Sequence, residues 1–259
     1  MIEAKNISVS FDDKPILQDI SCSLSRGVTC ILGQNGAGKS TLLQCLSGGI
    51  AVDEGVIEFE GQDLSQCNIR QLAQKRAVLG QSLNVGFPFR AMDIVMMGRA
   101  PFIVTNEKPY DVDVAHAALE RLGAYELKDR IYSTLSGGEK QRVQLARVLS
   151  QLDFMSDDLS GKYLFLDEPT SALDVKHQRM VLGLIDELRS KGLSILAVMH
   201  DINVSCEIAD HAVLLKGGRM LGAHRISEQA LQESLLVEVY DAEPSNVLTA
   251  QSGRTYYHF

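Results

Sequence analysis

The chain has 259 residues, of which 25 are Lys or Arg and 33 are Asp or Glu, so the formal net charge is −8. At about 150 residues per domain, this length allows one large domain or two small ones. Hydrophobic residues make up 45% and charged residues 22%, which is ordinary globular usage and excludes global disorder. The acidic balance argues against a protein whose main partner is nucleic acid, because such proteins carry a basic surface.

The five cysteines form no C-x-x-C pair and no regular framework. Such an odd, scattered set is typical of free thiols in a reducing cytosol. No basic and apolar leader opens the sequence, and no apolar run approaches the roughly 18 residues of a membrane span. We therefore expect a protein that neither enters nor crosses a membrane by itself, so that any membrane role comes through a partner.

The first part of the chain is predicted to contain strands and one helix. Alternating apolar and serine residues over 7–11 predict a half-buried strand. An apolar run over 28–32 predicts a buried strand that ends at Gly33, and a helix over 39–46 follows at once. Alternation over 57–60 predicts a further strand.

The pattern becomes helical from about residue 88 to residue 151. Asp111 is expected to cap a helix that ends at Gly123, because Asp is a favoured N-cap residue and Gly a favoured C-terminal stop. Apolar residues at helical spacing predict a second helix over 138–149.

Buried strands return in the last third of the chain. Residues 163–166 and 195–199 are apolar runs, the type expected of strands that are covered on both faces. A helix that ends at Gly192 separates them, and a Gly-Gly turn at 217–218 predicts a closing hairpin. Strands that alternate with helices predict an α/β fold with a mainly parallel sheet wrapped by helices, into which the helical middle is inserted.

One motif between a predicted strand and a predicted helix is typical of phosphate binding. It fits G-x-x-x-x-G-K-[ST] and consists of Gly33, Gln34, Asn35, Gly36, Ala37, Gly38, Lys39 and Ser40, with Thr41 following. Glycines let backbone N–H groups converge on phosphate oxygens, and the helix start adds its positive dipole end. Lys39 is predicted to reach the β- and γ-phosphates of a nucleotide and the Ser40 hydroxyl to ligate Mg²⁺. The alternative is a glycine-rich turn without a ligand.

Asp167 and Glu168 close the apolar strand over 163–166. Carboxylates at the exit of a buried strand are costly unless they are paired or bind a metal. We expect Asp167 to hold Mg²⁺ through water and Glu168 to act as the general base toward an attacking water. The alternative is an ordinary acidic surface turn.

Residues 135–139, with the sequence Leu-Ser-Gly-Gly-Glu, precede a predicted helix. Ser136 and Glu139 have the spacing of a capping box, which explains them locally. Two glycines are poor helix formers, however, and they leave the backbone open to an anion.

Taken together, these motifs make the chain similar to the ATP-binding subunit of ABC transporters, over residues 1–225. The resemblance rests on motifs in the right order: the residues 33–40, Gln81, residues 135–139, Asp167 with Glu168, residues 171–174 and His200. It implies a P-loop NTPase core of the ABC ATPase type, with an N-terminal antiparallel β subdomain and an inserted α-helical subdomain. One cassette would then span 1–259, with the catalytic core over 1–87 and 156–259 and the helical subdomain over about 88–155.

The resemblance also implies roles that the residues alone do not. Phe11 would stack on adenine, Gln81 would contact Mg²⁺, His200 would hydrogen-bond the γ-phosphate, and Asp174 would lie at a dimer interface. Without the family resemblance, the sequence predicts Phe11 to be a core residue, Gln81 a surface amide and His200 a structural histidine.

The family further implies ATP and Mg²⁺ as ligands and a head-to-tail homodimer. In that dimer Ser136, Gly137 and Gly138 of one copy would cap the γ-phosphate held by Lys39 of the other. A multispan membrane permease dimer would be the direct partner, on the cytoplasmic face of the inner membrane. A periplasmic or surface substrate-binding protein would act indirectly, and neither nucleic acid nor the transported substrate is expected to contact the chain.

Residues 87–89 and 95–101 resemble the type II importer branch, which takes up iron–siderophores, haem and cobalamin. A long polar connection over 152–162 is similar to an extension in haem-importing members, which favours haem. Ferric siderophore or cobalamin import is the alternative, and a soluble ABC ATPase in iron–sulfur assembly is a further one.

Overall fold

The computed structural model describes residues 1–80, 86–103, 108–199, 201–226, 233–249 and 255–258. The chain divides into two compact units, one formed by Met1–Cys67 with Ser194–Phe259 and the other by Asn68–Leu193. Within the described residues, no helix combines the length and the apolar character that crossing a membrane requires.

The strands are distributed over both units. In chain order they are β1 (Ile2–Phe11), β2 (Lys14–Leu24), β3 (Gly27–Gly33), β4 (Glu54–Phe59), β5 (Gln62–Asp63), β6 (Arg76–Leu79), β7 (Tyr163–Asp167), β8 (Ser194–Val198), β9 (His211–Lys216), β10 (Arg219–Arg225), β11 (Asn246–Thr249) and β12 (Thr255–His258). The helices are α1 (Lys39–Leu46), α2 (Ile69–Lys75), α3 (Ala91–Met97), α4 (Pro109–Arg121), α5 (Gly137–Leu152), α6 (Val175–Ser190), α7 (Ile202–Ile208) and α8 (Glu233–Tyr240).

The first unit contains an antiparallel sheet in the order β2-β1-β4-β5. Its register pairs Ala4 of β1 with Cys22 on one side and Ile57 on the other. The inward residues Ile7 and Val9 are buried, as the alternation predicted. This sheet matches the antiparallel β subdomain that the resemblance implied.

The same unit contains the parallel strands that carry the nucleotide motif. β3 lies between β8 and β9 and pairs in parallel with both, while β10 returns antiparallel to β9. Every residue of β3 and β8 is buried, because strands covered on both faces need no polar alternation. The predicted strand and helix around the motif agree with β3 and α1, including the end of the strand at Gly33.

The sequence patterns did not predict the structure of the C-terminal part of the first unit. α8 buries Leu236 and Val239 against Leu32 of β3 and Leu214 of β9, and β11 and β12 form an antiparallel hairpin. Tyr257 of β12 is buried in the same apolar cluster. The end of the chain is thus packed beneath the strand that leads into the nucleotide motif.

The second unit combines the parallel pair β6 and β7 with helices α2 to α6. Arg99 is almost fully buried, and its guanidinium contacts the Asp111 carboxylate at 3.0 Å and the Ser150 carbonyl at 2.7 Å. The buried charge is therefore paired and hydrogen-bonded, as burial requires.

The prediction that Asp111 is the N-cap of its helix is wrong. α4 begins at Pro109 with Lys108 as the N-cap, because proline is well suited to the first helical turn. Asp111 is the third helical residue, and its carboxylate accepts a hydrogen bond from the Lys108 N–H at 3.0 Å. The second predicted helix also extends further than expected, to Leu152.

Candidate nucleotide-binding site

The loop over residues 33–38 connects β3 to α1 within the first unit. Gly38 has a φ of 97°, and a Cβ at this position would lie 2.8 Å from Cδ2 of Leu17. Gly36 has a φ of 81° but faces open space. Gly38 is thus required by both conformation and packing, whereas Gly36 is required by conformation alone.

Lys39 is buried and lies at the centre of this loop. Its Nζ donates to the Gly33 carbonyl at 2.8 Å and to the Gln34 carbonyl at 2.9 Å. The Ala37 N–H also donates to the Gln34 carbonyl, at 3.2 Å. The loop is therefore closed around one ammonium group, which places a positive charge at the start of a helix.

Ser40 and Thr41 follow in the first turn of α1, which contains no acidic residue. The first N–H groups of a helix lack intrahelical partners, and the helix dipole is positive at this end. With Lys39 alongside, this end of α1 is suited to bind the oxygens of a phosphate.

Phe11 is exposed to 46% at the end of β1. The next two residues, Asp12 and Asp13, have φ values of 48° and 61° and form the turn into β2. The alternative interpretation of Phe11 as a core residue is therefore wrong, because the turn places it at the end of the sheet. An exposed ring of this kind can stack on a flat aromatic group.

In the second unit, β7 ends at Asp167, which is 2% exposed, and Glu168 follows. Glu168 has a φ of 52°, a left-handed conformation that is costly for a residue with a side chain. Such strained residues persist where neighbours hold them, and they occur often at functional sites.

Two residues hold the backbone of this turn. The Gln141 amide donates to the Pro169 carbonyl at 3.0 Å and, more weakly, to the Glu168 carbonyl at 3.4 Å. The Ser171 N–H and hydroxyl donate to the Glu168 carbonyl at 3.3 and 3.1 Å. Gln141 was not predicted as a site residue; its only signal in the sequence is its position two residues after Glu139, on the same helix as the Leu-Ser-Gly-Gly-Glu motif.

The capping box at the start of α5 is present. The Ser136 N–H and hydroxyl donate to the Glu139 carboxylate at 2.8 and 2.9 Å, and Glu139 contacts Arg130 at 2.9 Å. These hydrogen bonds with Ser136, and then the charge of Arg130, lower the pKa of Glu139. The local role of these residues is therefore structural, whatever further role they have.

The glycines of this motif and Asp174 lie close to the segment that follows Glu168. A Cβ on Gly138 would lie 3.0 Å from the Ala172 carbonyl, a tight contact that favours a glycine here. Asp174 caps α6: its carboxylate accepts from the His177 N–H at 2.9 Å and contacts the His177 ring at 2.7 Å. These contacts lower the pKa of Asp174.

The predicted site residues are divided between the two units. Phe11 and the residues 33–41 belong to the first unit, whereas residues 136–138, Asp167, Glu168 and Asp174 belong to the second. The predicted residues Gln81 and His200 lie outside the described residues. Within the second unit, the structure brings Gly138 and the segment after Glu168 together.

The profile of the ABC transporter family matches residues 17–171, which is more than half of the chain. The chain belongs to the ABC transporter family. A hemin import ATP-binding protein HmuV from Methylobacillus flagellatus is 36% identical over 257 residues, which cover 98% of this chain and 94% of the relative. The predicted family, and its ATPase character, are confirmed.

Solved structures of ABC transporters have the same fold. A chain from an inward-facing metal-chelate type ABC transporter matches with a TM-score of 0.78 and 28% identity, over 100% of this chain and 95% of that one. The dimeric ATP-binding cassette MJ0796, solved with ADP and Pi, matches with a TM-score of 0.76 over 89% and 100% of the two chains. At 21% identity, this second likeness supports the fold alone. The predicted fold class is confirmed.

Proposed function

We propose that this chain is the ATP-hydrolysing subunit of an importer that moves haem across the cytoplasmic membrane through a permease partner. The observation that carries the proposal is the closed loop around Lys39, in a chain whose relative over 98% of its length is named a hemin import ATP-binding protein. The loop supports nucleotide binding, and the names of the relatives support haem as the transported substrate.

The phosphates of ATP are proposed to bind the loop and the start of α1. The contacting residues would be Gly33, Gln34, Asn35, Gly36, Ala37, Gly38, Lys39, Ser40 and Thr41. The buried ammonium of Lys39 and the helix N-terminus both favour the negative charge of phosphate. The exposed ring of Phe11 would stack on adenine.

Ser40, Asp167 and Gln81 are the proposed ligands of Mg²⁺, with Asp167 acting through water. Mg²⁺ prefers oxygen ligands, and Ser40 and Asp167 offer a hydroxyl and a carboxylate. When bound, the ion would neutralise charge on the phosphates. The position of Asp167 at the carboxyl end of a buried strand is typical of ligand sites in α/β sheets.

Glu168 is the proposed general base that orients and deprotonates the attacking water. Its strained, left-handed backbone is held by Gln141 and Ser171, which supports a role that depends on one orientation of the side chain. His200 and Gln81 are proposed to complete the catalytic set, His200 at the γ-phosphate.

Two copies of the chain are proposed to form a head-to-tail homodimer. Ser136, Gly137, Gly138 and Asp174 of one copy would then complete the nucleotide site of the other. Within each copy, we propose a catalytic core over 1–87 and 156–259 and a helical subdomain over 88–155. The dimer would bind a multispan permease from the cytoplasmic side, and a substrate-binding protein would deliver haem to that permease.

Import of a ferric siderophore is a second candidate, because the solved chain that this protein resembles at 28% identity is of metal-chelate type. Uptake into proteoliposomes that contain the complete transporter tests both. With Mg²⁺ and ATP enclosed in vesicles whose cassettes face the lumen, and haem-loaded binding protein outside, we expect radiolabelled haem to accumulate inside the vesicles. Uptake of a ferric siderophore or cobalamin without haem uptake would overturn the haem assignment, and a complex assembled with Glu168→Gln serves as the control without hydrolysis.

A further inference from the structure

The C-terminal segment of the chain contacts the nucleotide loop through side chains that the proposed mechanism does not use. Two such contacts come from the end of α8, one from Tyr240 and one from Asp241, and both lie within the first unit. We infer that Asp241 is a positioning residue for the nucleotide loop, which it holds through the side chain of Gln34. This inference rests on the proposed function, since it concerns the affinity for nucleotide.

Helix α8 packs against β3, the strand that leads into the loop. Leu236 and Val239 of α8 are completely buried against Leu32, the residue that precedes Gly33. Burying two such side chains fixes the helix on β3. The end of α8 therefore has a defined position relative to the loop.

At the end of α8, Tyr240 and Asp241 turn toward the loop. Burial raises the pKa of Tyr240 to about 12, and a hydrogen bond between its hydroxyl and the Gly33 backbone opposes this rise. Asp241 follows with a φ of 54°, a left-handed conformation that Asp tolerates better than most residues and that ends the helix.

The carboxylate of Asp241 uses both of its oxygens. Oδ2 accepts from the Gln34 side-chain amide at 3.1 Å, and Oδ1 accepts from Lys216 Nζ at 2.5 Å. Lys216 is the last residue of β9 and also donates to the Glu238 carbonyl at 2.7 Å. Asp241 is thus fixed from β9 and the end of α8, while its other oxygen reaches the loop.

Gln34 transmits this contact to the centre of the loop. The carbonyl of the same residue accepts from Lys39 Nζ and from the Ala37 N–H. The opposite side of the loop is held by the Gly218 N–H, which donates to the Ala37 carbonyl at 3.2 Å. A loop held at Gln34 and Ala37 has less freedom to lose when it orders around phosphate, which improves affinity.

Titration calorimetry of the full-length chain with MgADP tests the inference. We expect Asp241→Ala and Gln34→Ala each to weaken MgADP binding about five-fold, the size expected for one ordinary hydrogen bond, because solvent exposure offsets the added contribution of the charge. Because both variants remove the same contact, the double variant should be no weaker than either single one. Additive losses, or unchanged affinity in Asp241→Ala, would overturn the inference.

Two further variants separate positioning from loss of charge or of stability. In Asp241→Asn the oxygen can face Lys216 while the amide donates to a rotated Gln34 side chain, so affinity should stay within about two-fold of the unchanged chain. Glu243→Gln removes a nearby exposed charge and should leave affinity unchanged. If Asp241→Ala lowers the thermal midpoint too far for titration, Asp241→Asn and Gln34→Ala decide alone, and equal losses in both contradict the inference. Failure of the unchanged chain to bind MgADP would instead contradict the proposed function.

Discussion

The nucleotide loop of the first unit and the turn after β7 in the second unit both contain left-handed backbone, but this conformation is accommodated in different ways. The central part of the loop is held by its own residues: Gly36 and Gly38 supply left-handed conformations, and Lys39 donates to carbonyls five and six residues earlier. The turn at Glu168 lacks a glycine at its strained position, and Gln141, 27 residues away, holds it instead. The internal supports of the loop are visible in its own motif, whereas the support that Gln141 gives the turn is not visible in the sequence around Glu168.

The largest expected effect comes from the carboxylate of the turn. Glu168→Gln should lower ATP hydrolysis by about 10²-fold or more, because the neutral amide cannot accept a proton from water. ATP affinity, measured by titration calorimetry, should change little, since the loop in the other unit remains intact. Near-normal hydrolysis in this variant would remove Glu168 from the role of base.

The loop itself is tested by a matched pair of glycine variants. Gly38→Ala introduces both a left-handed alanine and a contact with Leu17, so MgADP affinity should fall about 10-fold or more. Gly36→Ala introduces the conformational strain without any contact, and we expect a smaller loss of about five-fold. Titration calorimetry with MgADP measures both losses, and equal losses would mean that packing against Leu17 has no part in shaping the loop.

Loss of the distant support should affect the turn and leave the loop unchanged. Gln141→Ala removes the amide that binds the Pro169 and Glu168 carbonyls, and we expect kcat to fall about five-fold with MgADP affinity unchanged. The control is the same substitution in the Glu168→Gln chain. If Gln141 acts through Glu168, no further loss in kcat follows there, whereas an additive loss contradicts this role.

The smallest expected effect is on stability and depends on pH. Hydrogen bonds with Ser136 and the charge of Arg130 lower the pKa of Glu139, so its contribution is present above the unfolded pKa of about 4.3. It is lost as pH falls through the lower folded pKa. Glu139→Ala should therefore have a lower Tm than the unchanged chain at pH 7, with the difference shrinking as the pH falls below about 4. Glu120→Ala, an exposed change on α4, is the control. If the Tm difference is the same at pH 7 and at a pH below about 4, the ionised carboxylate has no part in the cap.

The sequence was sufficient where local patterns decide the structure. The bounds of α1 and the end of β3 at Gly33 agree with the prediction because a buried strand, a glycine loop and a helix follow directly in the chain. Asp111 was misplaced because a capping carboxylate looks the same at the N-cap and at the third helical position. The buried pair with Arg99 then fixes Asp111 inside the helix.

The remaining site features depend on contacts over long sequence distances. Asp241 reaches Gln34 across 207 residues, and no local pattern around Asp241 indicates this contact. Likewise, β11 and β12 are short strands whose place is set by packing of Tyr257 in the apolar cluster with α8. Such contacts arise only once the fold has formed, so periodicity and motifs do not predict them.

ATPase activity of the purified transporter complex, with and without a haem-loaded binding protein, tests the central claim most directly. The proposed function predicts that the haem-loaded protein stimulates hydrolysis, that the empty binding protein does so less, and that a complex containing Glu168→Gln responds to neither. Haem import would be contradicted by an active complex whose ATPase activity is stimulated by a ferric siderophore or cobalamin but not by haem. A complex without Mg²⁺-dependent ATPase activity would contradict the proposed role of the chain as the ATP-hydrolysing subunit.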